Sequence, residues 1–522
     1  MAIPSVPEHV VGTRDWLGFM VMVVGMFMAI LDIQIVSSSL TEIQAGLSAS
    51  ADEISWVQTS YLIAEVIMIP LSGFLSRLLS TRVLFTCSAA GFTLMSLACS
   101  FADSMPLMVV ARALQGFIGG AMIPTVFATS FILFPLSKRP LVSTLIGLVA
   151  TMAPTLGPTL GGWLTEHYSW HWLFLINIAP GLLVTVTVWL LVDVDRGDRS
   201  LLNGFDWPGL ILMAIFLGSL EFVVEEGPRN DWLNDNIITI FSIITSCSAV
   251  MFFWRVLIAK NPIVQLRAFA DRNFAMGCLF SFILGIGLYG SVYLLPLFLA
   301  QVRGLNSLQI GQIMFVTGTA QFLSAPLAGA LSRHIDLRLM LAFGFALFAT
   351  GLWWNAQLNA QSDFNELLLP QAVRGFALMF CFIPINTLSL GRLPPDKLKN
   401  ASGLYNLMRN LGGAIGLAVI NTLIQHQFAL HLNRLGDFLD QGRPVIQDSV
   451  NRLSLHFEFL AVDNPTGAAM ATLARLVRRE ATVMTFSDCL LTMAAVFVFG
   501  LVVMPLLRGL SGSGGPPVVA HE

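Results

Sequence analysis

The sequence predicts an all-α polytopic membrane protein: about fourteen transmembrane helices, as two six-helix repeats with two further helices inserted between them. The 522 residues are 55% hydrophobic and only 11% charged, a balance foreign to soluble domains. Fourteen apolar runs are long enough to cross a bilayer. Part of the chain also recurs at a fixed offset.

The runs lie at roughly 16–37, 55–75, 83–101, 106–134, 141–164, 171–192, 207–226, 237–258, 273–299, 308–331, 338–356, 366–390, 402–424 and 486–507. An even number puts both termini on one side. Connections after even-numbered runs carry Arg77, Arg82, Lys138, Arg139, Arg196, Arg199, Lys260, Arg267, Arg272, Arg333, Arg338, Arg392, Lys397 and Lys399, and Arg14 and Arg508 flank the ends. The short connections after odd-numbered runs carry only Arg229 and Arg303. Both termini are therefore expected in the cytoplasm. The chain is polar up to Asp15 and reads without a cleavable signal before the first run. The six cysteines sit in or beside apolar runs, without metal-ligand spacing, and read as small buried hydrophobes. A net charge of −3 gives no basic surface for nucleic acid.

The fifth run contains Pro154, Gly157, Pro158, Gly161 and Gly162. Membrane helices tolerate both residue types. Glycines at this spacing cut a groove for a neighbouring helix, and each proline removes a backbone hydrogen bond and bends the helix. Ordinary packing would also use such a pattern. The connection 425–485 is long. It reads as an amphipathic helix (His426–Asp440), a polar middle with Gly442, Pro444 and Pro465, and a second helix (Gly467–Thr485), suited to docking or to passive capping.

The repeat is explicit. Gly73-Phe-Leu-Ser-Arg77 with Arg82 returns as Gly329-Ala-Leu-Ser-Arg333 with Arg338, at an offset of 256. Arg112-Ala-Leu-Gln115-Gly116 with Pro124 is echoed by Gln371-Ala-Val-Arg374-Gly375 with Pro384. The expected plan is an N-terminal six-helix bundle (1–192), a linker with two inserted helices (193–272), a C-terminal six-helix bundle (273–507) holding loop 425–485, and a cytoplasmic tail (508–522). Internal repeats of this kind mark secondary transporters, with sites between the halves near the midplane.

Several motifs in order carry a family resemblance. Leu31-Asp32-Ile-Gln34-Ile-Val36 opens it. Arg112, Gln115, Gly116, Gly119 and Gly120 follow, then Gly157-Pro158 with Gly161-Gly162, Trp170-His-Trp-Leu-Phe-Leu-Ile-Asn177, and Ser402-Gly403 with Gly412-Gly413 and Gly416. The chain resembles the major facilitator superfamily, in its fourteen-span drug:proton antiporter branch. That resemblance implies a bacterial inner-membrane exporter without a cofactor, driven by the proton gradient. It also implies a tripartite pump with a periplasmic adaptor and an outer-membrane channel. Gly73, Arg77, Arg82 and the Gly157–Gly162 stretch would be its conformational motifs. The chain departs from the family at Ser76, where Asp is usual, and at Ser80, where Gly is usual, so its loop should latch the halves differently. Gln34 replaces a usual Thr.

Ionisable residues inside spans cost about 2.5–3.5 kcal/mol even on the lenient insertion scale and point to function. The candidates are Asp32, Glu65, Arg112, Glu221, Glu225, Arg374 and Arg409. At about 1.5 Å per residue, Asp32, Glu65 and Arg112 share the middle or outer half of the N-terminal bundle. A buried Arg needs a partner, and either acid could serve. Burial favours a protonated carboxyl group and a nearby arginine the ionised one, so an arginine moving between conformations would load and release a proton at Asp32 or Glu65. A static Asp32–Arg112 pair is the competing expectation. Glu221 and Glu225 share a helix face and also suit an interface anchor. Arg374 and Arg409 have no acid within a C-half span; they would meet backbone carbonyls or an anionic substrate group. Gln34, Gln115, Glu221, Arg374 and Arg409 are the candidate cavity residues.

The leading expectation is proton-driven export of amphipathic drugs or toxic compounds. An exporter of one endogenous molecule, such as a siderophore or fatty acid, and a non-transporting scaffold or sensor are the alternatives. No nucleotide-binding loop, paired metal ligands or nucleophile motif argues for an enzyme.

Overall fold

The computed structural model describes residues 11–50, 53–135, 137–362, 364–391, 393–439, 444–460 and 463–507. Arg392, Asp440, Gly442, Arg508 and the tail 508–522 lie outside the described residues. Among those described there is no strand, and fourteen helices are long and apolar enough to cross a membrane. These are α1 (Thr13–Ser37), α2 (Trp56–Leu79), α3 (Thr81–Ser100), α4 (Met105–Leu133), α5 (Arg139–His167), α6 (Trp172–Leu191), α7 (Trp207–Glu226), α8 (Asn236–Ile258), α9 (Arg272–Arg303), α10 (Gln309–Leu331), α11 (Leu337–Asn355), α12 (Phe364–Leu390), α13 (Lys397–Leu439) and α14 (Pro465–Leu506). The number and order of spans follow the expectation. Spans four and six are not single rods: α4 breaks between Gly119 and Met122, and α6 between Leu175 and Ile178.

Helix α5 continues through Pro154 and Pro158 and is packed on two sides. Gly157 abuts the Cβ of Gln34, and a Cβ on Gly161 would lie 2.9 Å from the Ile35 carbonyl, so these glycines admit α1. Gly162 is half-buried beside them. Two residues along a helix turn about 200°, so Thr155 and Thr159 face the other way. There the glycines belong to α10: Gly311 packs on Thr159, Gly318 on Thr155 and Gly329 on Thr144. The expected groove therefore seats a helix of the same half. Contact with the second half runs along the threonine face.

The second crossing between halves joins α2 to α13. Gly73 packs on Asn400, with a virtual Cβ 2.8 Å from its Cα, and Gly403 packs on the Ile69 carbonyl. The offset of 256 that relates Gly73 to Gly329 also relates Thr144 to Asn400. The two crossings are thus copies of each other about a pseudo-two-fold axis, as the repeat requires. Helix α7 lies against α2, with Gly218 facing Ile63 and Ile67, and α8 packs on α7.

The arginine- and lysine-rich end, called the basic end below, is tied across the halves. Ser402 Oγ donates to the Pro124 carbonyl (2.6 Å) and Arg139 Nη1 to the Gly391 carbonyl (3.1 Å). At the opposite end, α13 and α14 run on for 43 and 42 residues. At about 1.5 Å per residue, each is about twice the thickness of a hydrocarbon core. The helices expected separately at His426–Asp440 and Gly467–Thr485 are these continuations, because hydropathy marks where lipid ends and not where the helix does. The connecting stretch is also helical over Pro444–Phe459 and packs on α14. His431 and Asp488 join α13 to α14 (2.7 Å).

Cys87 and Cys247 are exposed rather than buried. A lipid-facing helix surface is as apolar as the interior, so hydropathy cannot separate the two.

The two faces of α5 make separable demands. Gly157→Leu overpacks the α1–α5 seam within one half, costing about 1–3 kcal/mol, and should lower the thermal midpoint of the purified protein. Gly311→Leu meets Thr159 across the halves and should leave that midpoint nearly unchanged while slowing transport in vesicles. A Gly157→Leu protein with unaltered thermal stability would contradict the seam.

Candidate functional site

Three arrangements of polar groups stand out inside the apolar bundle. The first joins five spans of the N-terminal half. Asp32 and Arg112 are both fully buried. Arg112 Nη1 donates to Asp32 Oδ2 (2.6 Å) and to Gln115 Oε1 (2.7 Å), and its Nε donates to the Val57 carbonyl (3.0 Å). The other Asp32 oxygen accepts from Asn177 Nδ2 (2.7 Å) and Gln115 Nε2 (3.3 Å), and both of those amides reach Ser96 Oγ. The guanidinium also lies over the Tyr61 ring, 4.2 Å from its centroid, a favourable place for a desolvated cation. The break in α6 falls at Asn177, which positions that side chain. Asp32, one of the two acids the sequence offered Arg112, is the one that meets it, and Gln115, expected in a cavity, joins their network. Asn177 and Ser96 were not singled out as ligands of the pair; Asn177 closes the Trp170–Asn177 motif, the one available signal.

The second arrangement lies between the halves. Glu65, on α2, stays out of the Asp32 network. It is 2% exposed, and its Oε1 has no hydrogen-bond partner among the described residues. It lies within electrostatic reach of Arg112 in its own half and Arg409 in the other. Arg409, on α13, donates to Asn406 Oδ1 (2.7 Å) and is flanked by the rings of Phe127 and Phe382 at 5.2 and 5.8 Å. Its Nη1 has no partner among the described residues. Phe127 belongs to α4 and Phe382 to α12, so this arginine touches both halves. On α7, Glu221 is buried, and Glu65 and Glu225 lie within its electrostatic reach. Glu226 accepts from Thr59 Oγ1 (2.9 Å) on α2. Gln34 belongs to the α1–α5 seam described above. Arg374 lies inside the C-terminal half, 1% exposed, with Thr317 Oγ1 as its partner (3.3 Å).

The third arrangement is at the basic end, where Ser76 replaces the expected acid. Lys399 Nζ, from α13, donates to the Ser76 carbonyl (3.0 Å) and forms an ion pair with Asp195, from the α6–α7 connection. Asp195 also accepts from the Thr81 backbone (2.9 Å), and the Asp198 backbone donates to the Arg77 carbonyl (2.9 Å). The acid missing from the α2–α3 turn is thus supplied by a neighbouring connection. Arg77 Nε donates to the Gly73 carbonyl (3.3 Å) in its own helix. Arg82 lies over the Trp189 ring at 5.4 Å. Lys399 was legible in the sequence only as a loop charge, and Asp195 was not singled out. Ser80 has φ +90°, a conformation that favours glycine, and its side chain accepts from Val83 N (3.3 Å).

Membrane-length helices crossing as pseudo-symmetric pairs, with charged groups buried where the pairs meet, define a polytopic membrane transporter and not an enzyme. The chain belongs to the Major Facilitator Superfamily, whose model matches residues 22–417. It is 41% identical to the colistin resistance protein EmrB of Acinetobacter baumannii, over 93% of this chain and 94% of that one. It is 28% identical to the multidrug export protein EmrB of Escherichia coli strain K12, over 95% and 96% of the two chains. The crystal structure of the human organic anion transporter MFSD10 (TETRAN) shares the fold, with a TM-score of 0.59 at 14% identity, over 96% of this chain and all of that one.

The α2–α3 turn gives two measurable outcomes. Strain at a positive-φ serine is about 1–3 kcal/mol, and glycine costs only a few tenths as an N-cap. Ser80→Gly should therefore raise stability by about 1 kcal/mol, read as a higher thermal midpoint. Asp195→Asn leaves Lys399 without its anion at the basic end. Cysteine pairs across α2 and α13 at that end should then cross-link less efficiently than in the unmodified protein; unchanged cross-linking would remove Asp195 from the latch.

Proposed function

We propose that the protein exports amphipathic drugs or toxic compounds in exchange for protons across a bacterial inner membrane, with both termini in the cytoplasm. Residues 1–192 and 273–507 are the two moving bodies, and 193–272 is the insert between them. The observation that carries the coupling reading is Glu65, a carboxylate buried at the crossing of the halves with one oxygen unpaired and a cation from each half within electrostatic reach. Asp32 has both oxygens bonded and supports a static role. Rearrangement of α13 carries Arg409 toward or away from Glu65, which would release or load its proton. Glu221 and Glu225 extend the line of carboxyl groups along α7. The printed names of the two bacterial relatives, colistin resistance and multidrug export, support drugs as the cargo. The basic-end ties support a state closed toward the cytoplasm.

The protruding α13–α14 hairpin is the proposed docking site for a periplasmic adaptor, which would lead on to an outer-membrane channel. Val445, Leu455 and Phe459 are 74%, 66% and 88% exposed on its connecting helix, beyond the span of the bilayer where apolar exposure marks an interface.

Glu65→Gln should abolish gradient-driven export in everted vesicles, by tenfold or more, with the protein still inserted. Asp32→Asn should instead destabilise the fold, by about 3–5 kcal/mol, because it breaks a buried pair. Full gradient-driven export by Glu65→Gln would refute the carboxylate assignment. For the adaptor, Val445→Asp with Phe459→Asp should remove resistance in intact cells yet spare transport in everted vesicles. Equal loss in both would assign the hairpin to the transporter's own fold.

A further inference from the structure

The two crossings between the halves are copies of each other, but only one carries the inserted helices. The α5–α10 crossing is direct along its length, from Gly329 on Thr144 at the basic end to Gly311 on Thr159 at the other. The α2–α13 crossing is direct toward the basic end, where Gly73 packs on Asn400 and Gly403 on the Ile69 carbonyl. Toward the other end α2 meets α7. Trp56 stacks on Phe222 with ring centroids 5.6 Å apart, Thr59 Oγ1 donates to Glu226 Oε1 (2.9 Å), and Gly218 faces Ile63 and Ile67. Just before α7, Phe205 packs on Phe74 (4.7 Å), so α7 is fixed to α2 along its length. The α7–α8 connection then reaches α13. Trp232 Nε1 donates to Thr422 Oγ1 (2.9 Å), and Gln425 Nε2 donates to the Pro228 carbonyl (3.0 Å). This turn is strained: Asp231 and Trp232 both have φ +54°, a left-handed conformation that is uncommon for any side chain and more so for a bulky one. Such strain persists where the surroundings over-determine it, and it clusters at switch regions. Here the Trp232 backbone donates to the Gly227 carbonyl (2.9 Å), its ring lies against Gly227, and Thr422 holds its indole nitrogen.

We propose that the inserted pair is a strap across the end opposite the basic one. It travels with α2, and its joint with α13, at Trp232–Thr422 and Pro228–Gln425, parts when that end opens. A whole helix face holds the insert to α2, whereas two hydrogen bonds and a strained turn hold its connection to α13, so the joint on α13 is the one that yields. The inference rests on the reading of 1–192 and 273–507 as two moving bodies, and on neither the cargo nor the proton.

The test uses the full-length protein in nanodiscs, with the exposed Cys87 and Cys247 replaced by serine. Spin labels at Phe101→Cys and Gln361→Cys, both exposed, report the separation of the halves at the strapped end. Labels at Leu79→Cys and Ile335→Cys, also exposed, report it at the basic end. Trp232→Phe with Gln425→Met removes both hydrogen bonds and keeps a ring over Gly227. By pulsed electron resonance it should raise the population of the longer separation at the strapped end at least threefold and leave the basic-end pair unchanged. An unchanged distribution at the strapped end, or equal loosening of both pairs, would overturn the strap. Asp195→Asn tests the two-body reading by itself and should lengthen the basic-end pair. Motion there without a response to the strap variant strikes the strap alone; no motion in either strikes both. The yielding joint is assigned in everted vesicles with ethidium export as the readout. A reducible bis-methanethiosulfonate joining Pro228→Cys to Gln425→Cys should cut export at least tenfold until it is reduced. The same reagent joining Trp56→Cys to Phe222→Cys should leave export nearly unchanged. Parental export with the first link in place, or equal loss with both, would overturn the assignment of the moving joint to α13.

Discussion

A cation inside a bilayer has no water to fall back on, and most of the N-terminal half is arranged around meeting that demand for Arg112. Its partner Asp32 comes from α1, its backbone acceptor from α2, a bridging hydroxyl from α3, Gln115 from its own helix, and Asn177 from the broken α6. All but the Gln115 contact cross between helices. Lipid offers no hydrophobic drive to hold such helices together, so this network supplies direction where packing alone supplies little. The same tightness sets Asp32 apart from Glu65, whose Oε1 has no hydrogen-bond partner among the described residues.

The frame then has to move. Helix α5 divides that task between its faces: glycines lock it to α1, and threonines meet the glycines of α10. One face holds a half together while the other is a shallow surface between halves. At the basic end the ties are few and polar, with Lys399 and Asp195 at their centre. The Lys399 and Asp195 side chains are 9% and 20% exposed, so the pair sits at the margin of the protein and separating it means rewetting both charges.

The repeat, the spans and the buried charges were legible because lipid imposes them: a missing charge, a long apolar run and a glycine spacing all leave marks in one dimension. Depth narrowed the partner of Arg112 to Asp32 or Glu65 and no further. Asn177 and Ser96 were not legible, since a neutral amide or hydroxyl in a span is too common to single out. The Lys399–Asp195 pair was hidden because loop charges record topology first, and the two residues are far apart in sequence. The lengths of α13 and α14 escaped for a related reason: polar residues past the lipid boundary continue a helix without any break in its hydrogen bonds. The glycine face of α5 was legible as a groove, but its occupant α1 was not, because spacing shows that a helix is received and not which one.

That continuity has a mechanical consequence. Helix α13 carries Arg409 at the crossing of the halves and continues without interruption well past the length that a bilayer core needs. With a projection of about 30 Å beyond the bilayer, a tilt of about ten degrees at the membrane displaces the tip by about 5 Å. The hairpin is therefore a lever with its short arm at the charged centre. A partner gripping its end would feel each change of state, and by the same rigidity could hold the transporter in one of them.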